Sequence, residues 1–229
     1  MNVNPVKNSG ILLVDKAPGF TSFNLVSILR RLTKIEKIGH AGTLDPFATG
    51  VMVMLVGRDY TKRSDEFLTS DKQYLATLQL GSTTDSYDID GAILSSSDIV
   101  PTLIEIEKAI DAFQGEILQV PPMYSAKKIN GKKLCDLARK GITVERAPVK
   151  VRTSIKLITY TYPTLEIEVT CSKGTYIRSL AHDIGALLGC GAHLKELIRT
   201  RSGGFCIEDC TPQAALTKDF NPLLHLRTF

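Results

Sequence analysis

Twelve residues, Gly39-His-Ala-Gly-Thr-Leu-Asp-Pro-Phe-Ala-Thr-Gly50, run without a break into the apolar segment Val51–Val56, and no other stretch restricts the possible folds as much. Three glycines in a short loop cost backbone entropy on ordering. A folded chain keeps them where it must bend sharply or let another molecule approach. The apolar segment is short, rich in valine and closed by Gly57, which predicts a buried strand. Asp45 is the only carboxylate in the loop and lies between Leu44 and Pro46. An acid among apolar neighbours is partly desolvated and needs a cationic or hydrogen-bonding partner. The loop reads as a site.

The flanking pattern alternates between two periods. Ile11–Val14 predicts a buried strand, and Ser22 is positioned to cap a helix from Phe23 to about Leu32, with Leu25, Val26, Leu29 and Leu32 on one face. Tyr74–Leu80 alternates as a half-buried strand, and the acidic turn Thr84–Gly91 leads into another. Pro101 opens a helix that Gly115 ends, and Lys132–Lys140 forms a short basic helix stopped by Gly141. Strands follow at about Val149–Tyr160 and Leu165–Cys171. After the turn Ser172–Thr175 comes a helix to about Leu188, then a strand over His193–Phe205, and Thr211-Pro212 opens a last short helix. With strands outnumbering helices and no βαβ repeat, the expected class is α+β: a large mixed, mostly antiparallel central sheet flanked by helices. No repeat or linker marks a second domain, so residues 1–210 are read as one domain with an insertion at about 121–150, and 211–229 as a short tail.

Charge and cysteines narrow the function classes. Twenty-eight Lys and Arg against twenty-four Asp and Glu give a net charge of +4, so nucleic-acid binding has to rest on clustering. Tyr124–Arg152 supplies such a cluster, including Lys127, Lys128, Lys132 and Lys133, with Asn130-Gly131 as a hairpin tip; Lys195, Arg199 and Arg201 add a second set. A solvated helix face is the ordinary alternative for such a run. Ile11–Val14 is too short for an export signal and ends in Asp15-Lys16, and no run is long enough to cross a bilayer; a cytoplasmic protein is expected. Five scattered cysteines fit reduced, mostly buried thiols. The spacing Cys190-x-x-His193 with Cys206-x-x-x-Cys210 has a loose zinc-like rhythm, but Leu194, Leu197 and Ile198 between the pairs read as a structured element.

The chemistry narrows by exclusion. The loop offers no second acid for glycosidase-type catalysis, and the chain has no Gly-x-Ser-x-Gly and no Walker A sequence, Ala126 standing where that motif needs glycine. His40 and Asp45 have no third metal ligand nearby. A lone carboxylate nucleophile or base remains, and Arg178, just after the Ser172–Tyr176 turn, is the best candidate for its cation.

The loop, together with Asp71-Lys-Gln-Tyr74, Met123-Tyr-Ser-Ala-Lys127, Gly131-Lys-Lys133 and Cys171-Ser-Lys-Gly-Thr-Tyr-Ile-Arg178, resembles the TruB family over about Gly10–Phe205 in unbroken order. These are bacterial tRNA pseudouridine synthases, which isomerise uridine 55 in the T loop of tRNA. The resemblance implies the pseudouridine synthase fold and tRNA, through its T stem-loop, as partner. It implies no cofactor, no metal and no protein partner, so a monomer is expected. Asp45 matches the catalytic aspartate, Tyr74 the tyrosine that stacks on the uracil, and Arg178 the arginine that pairs with the aspartate. Tyr176 and Leu197 match positions lining the base pocket, and His40 matches a histidine supporting the flipped-out loop. Lys16 and Lys62 match basic residues near the site. Tyr124–Lys140 resembles a mobile RNA-clamping insertion, so Lys127, Lys128, Lys132 and Lys133 are expected on the RNA backbone, with Arg199 of the second basic set beside them. Many relatives carry an additional C-terminal RNA-binding domain, whereas this sequence stops about twenty-four residues after Phe205. The Thr200–Gly204 segment is uncommon for the family.

Each position also has a plainer reading. Asp45 could be a turn acid, Tyr74 a core strand residue, Arg178 half of a surface pair and His40 a hydrogen-bonded turn residue. Competing functions are a tRNA-folding chaperone with incidental catalysis, a synthase acting on another RNA, and a metal-dependent hydrolase using His40 and Asp45.

Overall fold

A computed structural model describes residues 8–125, 127–129 and 131–229. The chain divides into two compact units, the first made of the segment up to Tyr74 together with Ile198–Phe229, the second of Leu75–Leu197.

In the first unit β1 (Gly10–Lys16) is followed by helix α1 (Ser22–Thr33), β2 (Ile38–Ala41), β3 (Thr49–Val56), the short helices α2 (Arg58–Thr61) and α3 (Ser64–Leu68), and the start of β4 (Lys72–Leu80). Strands β1 and β3 pair antiparallel from Gly10↔Val56 to Lys16↔Gly50. On its other edge β3 pairs antiparallel with β2 from Ile38↔Val56 to Ala41↔Val53, while Thr49 and Gly50 pair in parallel with Ile198 and Arg199. Ile11, Leu13, Ala41, Val51, Val53, Leu55 and Tyr60 form a core cluster. The alternate residues Leu12, Val14, Met52 and Met54 are buried as well. A strand covered on both faces has no polar side to show, which explains the unbroken apolar runs in the sequence.

The helix begins one residue earlier than Ser22 capping would place it. Thr21 is the cap: its side chain accepts the Asn24 N–H, and the Asn24 side chain returns the bond to the Thr21 backbone. Ser22 is thereby released for the loop that carries Asp45.

The second unit continues β4 and adds β5 (Ser82–Thr84), β6 (Ile93–Ser96), α4 (Leu103–Asp111), β7 (Gly115–Gln119), β8 (Lys128–Ile129), β9 (Lys132–Lys133), α5 (Leu134–Ala138), β10 (Val149–Thr161), β11 (Thr164–Cys171), α6 (Ile177–Leu187) and the start of β12 (Ala192–Ser202). Its strands run in the order β4-β11-β10-β7. The pairs β10–β11 and β10–β7 are antiparallel. Burial alternates residue by residue along β11, as its sequence predicts. Helix α4 is capped by Thr102 in a capping box with Glu105, so Pro101 precedes the helix rather than opening it. Gly115, at φ +76°, starts β7. The basic segment is a short hairpin, Lys128↔Lys133 and Ile129↔Lys132, before the five-residue α5; Asn130 of its tip lies outside the described residues.

After β12 the chain returns to the first unit with β13 (Phe205–Cys206) and β14 (Thr211–Pro212). Thr211-Pro212 is itself a short strand that pairs in parallel with Val14 and Asp15 of β1. Pro212 caps the short helix expected after it, which is one 3₁₀ turn, Gln213–Ala215. The tail is thus part of the first unit's sheet. Ile11 and Arg227 exchange both backbone hydrogen bonds at 2.8 Å.

Candidate active site

Two buried cations shape the Asp45 loop. Lys16, at the end of β1, is fully buried. Its ammonium donates to the carbonyls of Ala17 (2.9 Å), Phe20 (2.7 Å) and Pro46 (3.0 Å). Arg199 is 1% exposed and donates from Nε to Val51 O (2.7 Å), from Nη1 to Thr43 O (3.4 Å) and from Nη2 to Gly42 O (3.1 Å). The loop therefore wraps around a guanidinium and rests against an ammonium, both bonded to its backbone. Ser22 adds a third tie, its hydroxyl accepting from Leu44 N (3.0 Å) and donating to Leu44 O (3.2 Å). Leu44 is buried, and Asp45, the next residue, is half-buried.

Burial pushes the Lys16 amine down to about 8, an effect that the Asp45 charge opposes and the Arg199 charge reinforces. Burial, and then Arg199, also lower the pKa of His40 and favour its neutral imidazole. The His40 Nδ1 is buried without a protein partner among the described residues. Tyr74 is 9% exposed, on the same unit, and Lys62 is exposed at the end of α2. Lys72, which sequence reasoning passed over, is buried and donates to Leu68 O (2.6 Å) and to Ser70 O.

Two expectations need correction. Arg199 is not available to RNA phosphates, because its guanidinium is buried and bonded to two loop carbonyls, Gly42 and Thr43, and to Val51 O of β3. Lys16 likewise has no exposed surface to offer a substrate; it holds the loop backbone instead.

The second unit contains its own buried ion pair. Arg178, on the first turn of α6, lies 3.2 Å from Asp88, with the two side chains only 4% and 7% exposed. Its Nη1 also donates to Ser86 O (3.1 Å) and its Nη2 to Tyr124 O (2.7 Å). Asp88 accepts from the Ser86 hydroxyl and from Asp90 N. The acidic turn noticed in the sequence is thus a cradle for Arg178, a role that the sequence did not reveal. Tyr176 caps α6 and is fixed by the side chain of Gln119, which accepts from Tyr176 N (2.8 Å) and donates to Tyr176 O (3.0 Å). Leu197 is buried, 6% exposed. Lys127 is half-buried, while Lys128 and Lys132 are exposed on the short hairpin; the side chain of Lys133 lies outside the described residues. No group of three or more His, Cys, Asp or Glu is placed to hold a metal among the described residues.

A family model described as TruB family pseudouridylate synthase (N terminal domain) matches residues 30–177. The chain belongs to this family. A second model, described as the tRNA pseudouridylate synthase B C-terminal domain, matches residues 178–220. Relatives called tRNA pseudouridine synthase B are 60% identical in Protochlamydia amoebophila, over 92% of this chain and 80% of that protein, and 55% identical in Chlamydia abortus, over 96% and 94%. Among solved structures, a Cbf5-Nop10-Gar1 complex matches with a TM-score of 0.73 at 30% identity, covering 93% of this chain and 55% of the other. An H/ACA RNP bound to a substrate RNA containing 2′-deoxyuridine matches with a TM-score of 0.66 at 28% identity, covering 90% and 51%. The TruB-family chain thus spans about half the length of these solved chains.

Proposed function

We propose that the chain isomerises uridine to pseudouridine in tRNA, at uridine 55 of the T loop. The observation that carries this reading is the Asp45 loop, whose single carboxylate is presented on a backbone fixed by Lys16, Arg199 and Ser22. Such a loop is pre-organised and pays little reordering cost when charge develops at a sugar carbon beside it. The reaction breaks the N1–C1′ bond, turns the uracil and joins C5 to C1′; the C5 proton is lost and N1 regains one. It is redox-neutral and consumes no net water, so the residues of the chain suffice. A uridine inside a structured loop must first be extruded, and an aromatic face such as Tyr74 replaces lost stacking worth about 1–3 kcal/mol. Tyr176, Arg178 and Leu197 carry the remaining roles that the family resemblance assigns, with Arg178 held by Asp88. The exposed Lys128 and Lys132 suit contact with RNA phosphates.

The test is to incubate a tRNA T stem-loop with the wild-type chain and with Asp45→Asn, mapping pseudouridine by chemical probing. Product at the T-loop uridine with wild type, and a loss of about 10³-fold or more with the isosteric amide, is expected. Active conversion by Asp45→Asn would refute the assignment.

A further inference from the structure

Helix α1 presents an outer face with an unusual composition. Phe20 is 41% exposed just before it, and Phe23, in its first turn, is 61% exposed. Ser27, Arg30, Arg31 and Lys34 are exposed after them, and Ser22–Thr33 contains no Asp or Glu. At 100° per residue, Phe23, Ser27 and Arg30 fall on one stripe about 10 Å long, and Lys34 follows as the left-handed residue that ends the helix. The Arg30 guanidinium lies 6.0 Å from the Phe23 ring centroid, within cation–π range. Both rings lie outside the buried core, and among the described residues no salt bridge engages Arg30, Arg31 or Lys34.

The stripe starts at the aspartate loop. Gly19 N donates to Pro46 O (2.8 Å), the Lys16 ammonium bonds both Phe20 O and Pro46 O, and Ser22 bonds Leu44. Residues 19–22 and 44–46 therefore share one hydrogen-bonded network, which sets the backbone of Phe20 and the start of α1 beside the loop that presents Asp45. Resting on the reading above, we propose that this face of α1 is a second RNA contact. Phe20 and Phe23 stack on unpaired bases flanking the extruded uridine, and Arg30 and Lys34 neutralise the phosphates of the strand leading away. Unpaired nucleic acid is bound by this combination, aromatic faces interleaved with positive charge. An apolar protein partner would have no use for the single-signed half of the stripe.

The chain has no tryptophan, so Phe23→Trp introduces the sole indole, a direct reporter of stacking. The expected results with the T stem-loop RNA are quenching of that indole on binding, and a KM raised about 5- to 150-fold by Phe23→Ala, the effect falling on KM rather than on kcat. Arg30→Gln with Lys34→Gln should flatten the slope of log affinity against log salt by about 1.4, two phosphate contacts' worth. An unquenched indole and an unchanged salt slope, with RNA still bound, would overturn the proposal. Pseudouridine is measured on the same RNA: product with wild type alongside those unchanged signals removes this surface and leaves the isomerase reading standing. Quenching and a flattened slope without product would do the reverse.

Discussion

A methyl group at position 50 would lie 2.3 Å from the Arg199 carbonyl oxygen, and Gly50 sits at φ +101°, where L side chains are strained. Gly50→Ala should therefore cost about 2–4 kcal/mol and displace the loop, a change that denaturant unfolding measures directly. Lys16 gives a second prediction, in pH. Its folded value, about 8, lies below the 10.5 of a free lysine. Between those values the unfolded chain holds a proton that the folded chain has released, so this group's contribution to stability rises with pH across the window. Function runs the other way, since a neutral amine has one donor fewer for three carbonyls. Turnover is expected to fall above about pH 8 while the melting temperature does not fall with it, and Lys16→Met should abolish that basic limb. Parallel pH series of kcat and melting temperature check both arms. The Asp45 loop stands out in the sequence, because a lone acid among glycines is a local signal. Arg199 does not. The carbonyls that hold it are 148 to 157 residues away in the chain, and nothing local distinguishes a buried arginine from one facing phosphate.

At the scale of elements, helix α1 divides its labour between neighbouring residues. Thr21 caps the helix, and Ser22 ties it to Leu44. Thr21→Ala should cost about 1 kcal/mol of stability and leave the loop in place. Ser22→Ala removes both bonds to Leu44, costing about 1–2 kcal/mol and lowering kcat as well. Comparing the two variants by unfolding and by turnover separates helix stability from loop positioning; equal effects on turnover would show that Ser22 acts only through the helix. The sequence placed this helix and its apolar stripe correctly, because a 3.6-residue period survives without context. It chose the wrong cap because adjacent threonine and serine are equivalent until the tertiary partner of one is known. The turn around Asp88 was visible only as acidic, since its partner Arg178 lies on α6. Thr211-Pro212 was legible only in part: proline suits the start of the short 3₁₀ turn that follows, but its pairing with β1 depends on a strand about two hundred residues away.

Across the whole chain, the first unit is assembled from two distant segments. Its first strand is bordered by Thr211-Pro212 and by the mutual hydrogen bonds of Ile11 and Arg227. Removing residues 221–229 should lower the melting temperature by several degrees and reduce turnover, as thermal scans and the T stem-loop assay would show. The second unit, by contrast, is one uninterrupted stretch, Leu75–Leu197. That difference sets a schedule during synthesis. At roughly 5–20 residues per second, about 6–25 s separate the emergence of the glycine loop's segment from that of the strand containing Arg199. A nascent chain meanwhile exposes an apolar β1–β3 ladder before the arginine that the adjoining aspartate loop folds around has been made, so the aspartate's half of the molecule closes last and depends longest on protection from aggregation.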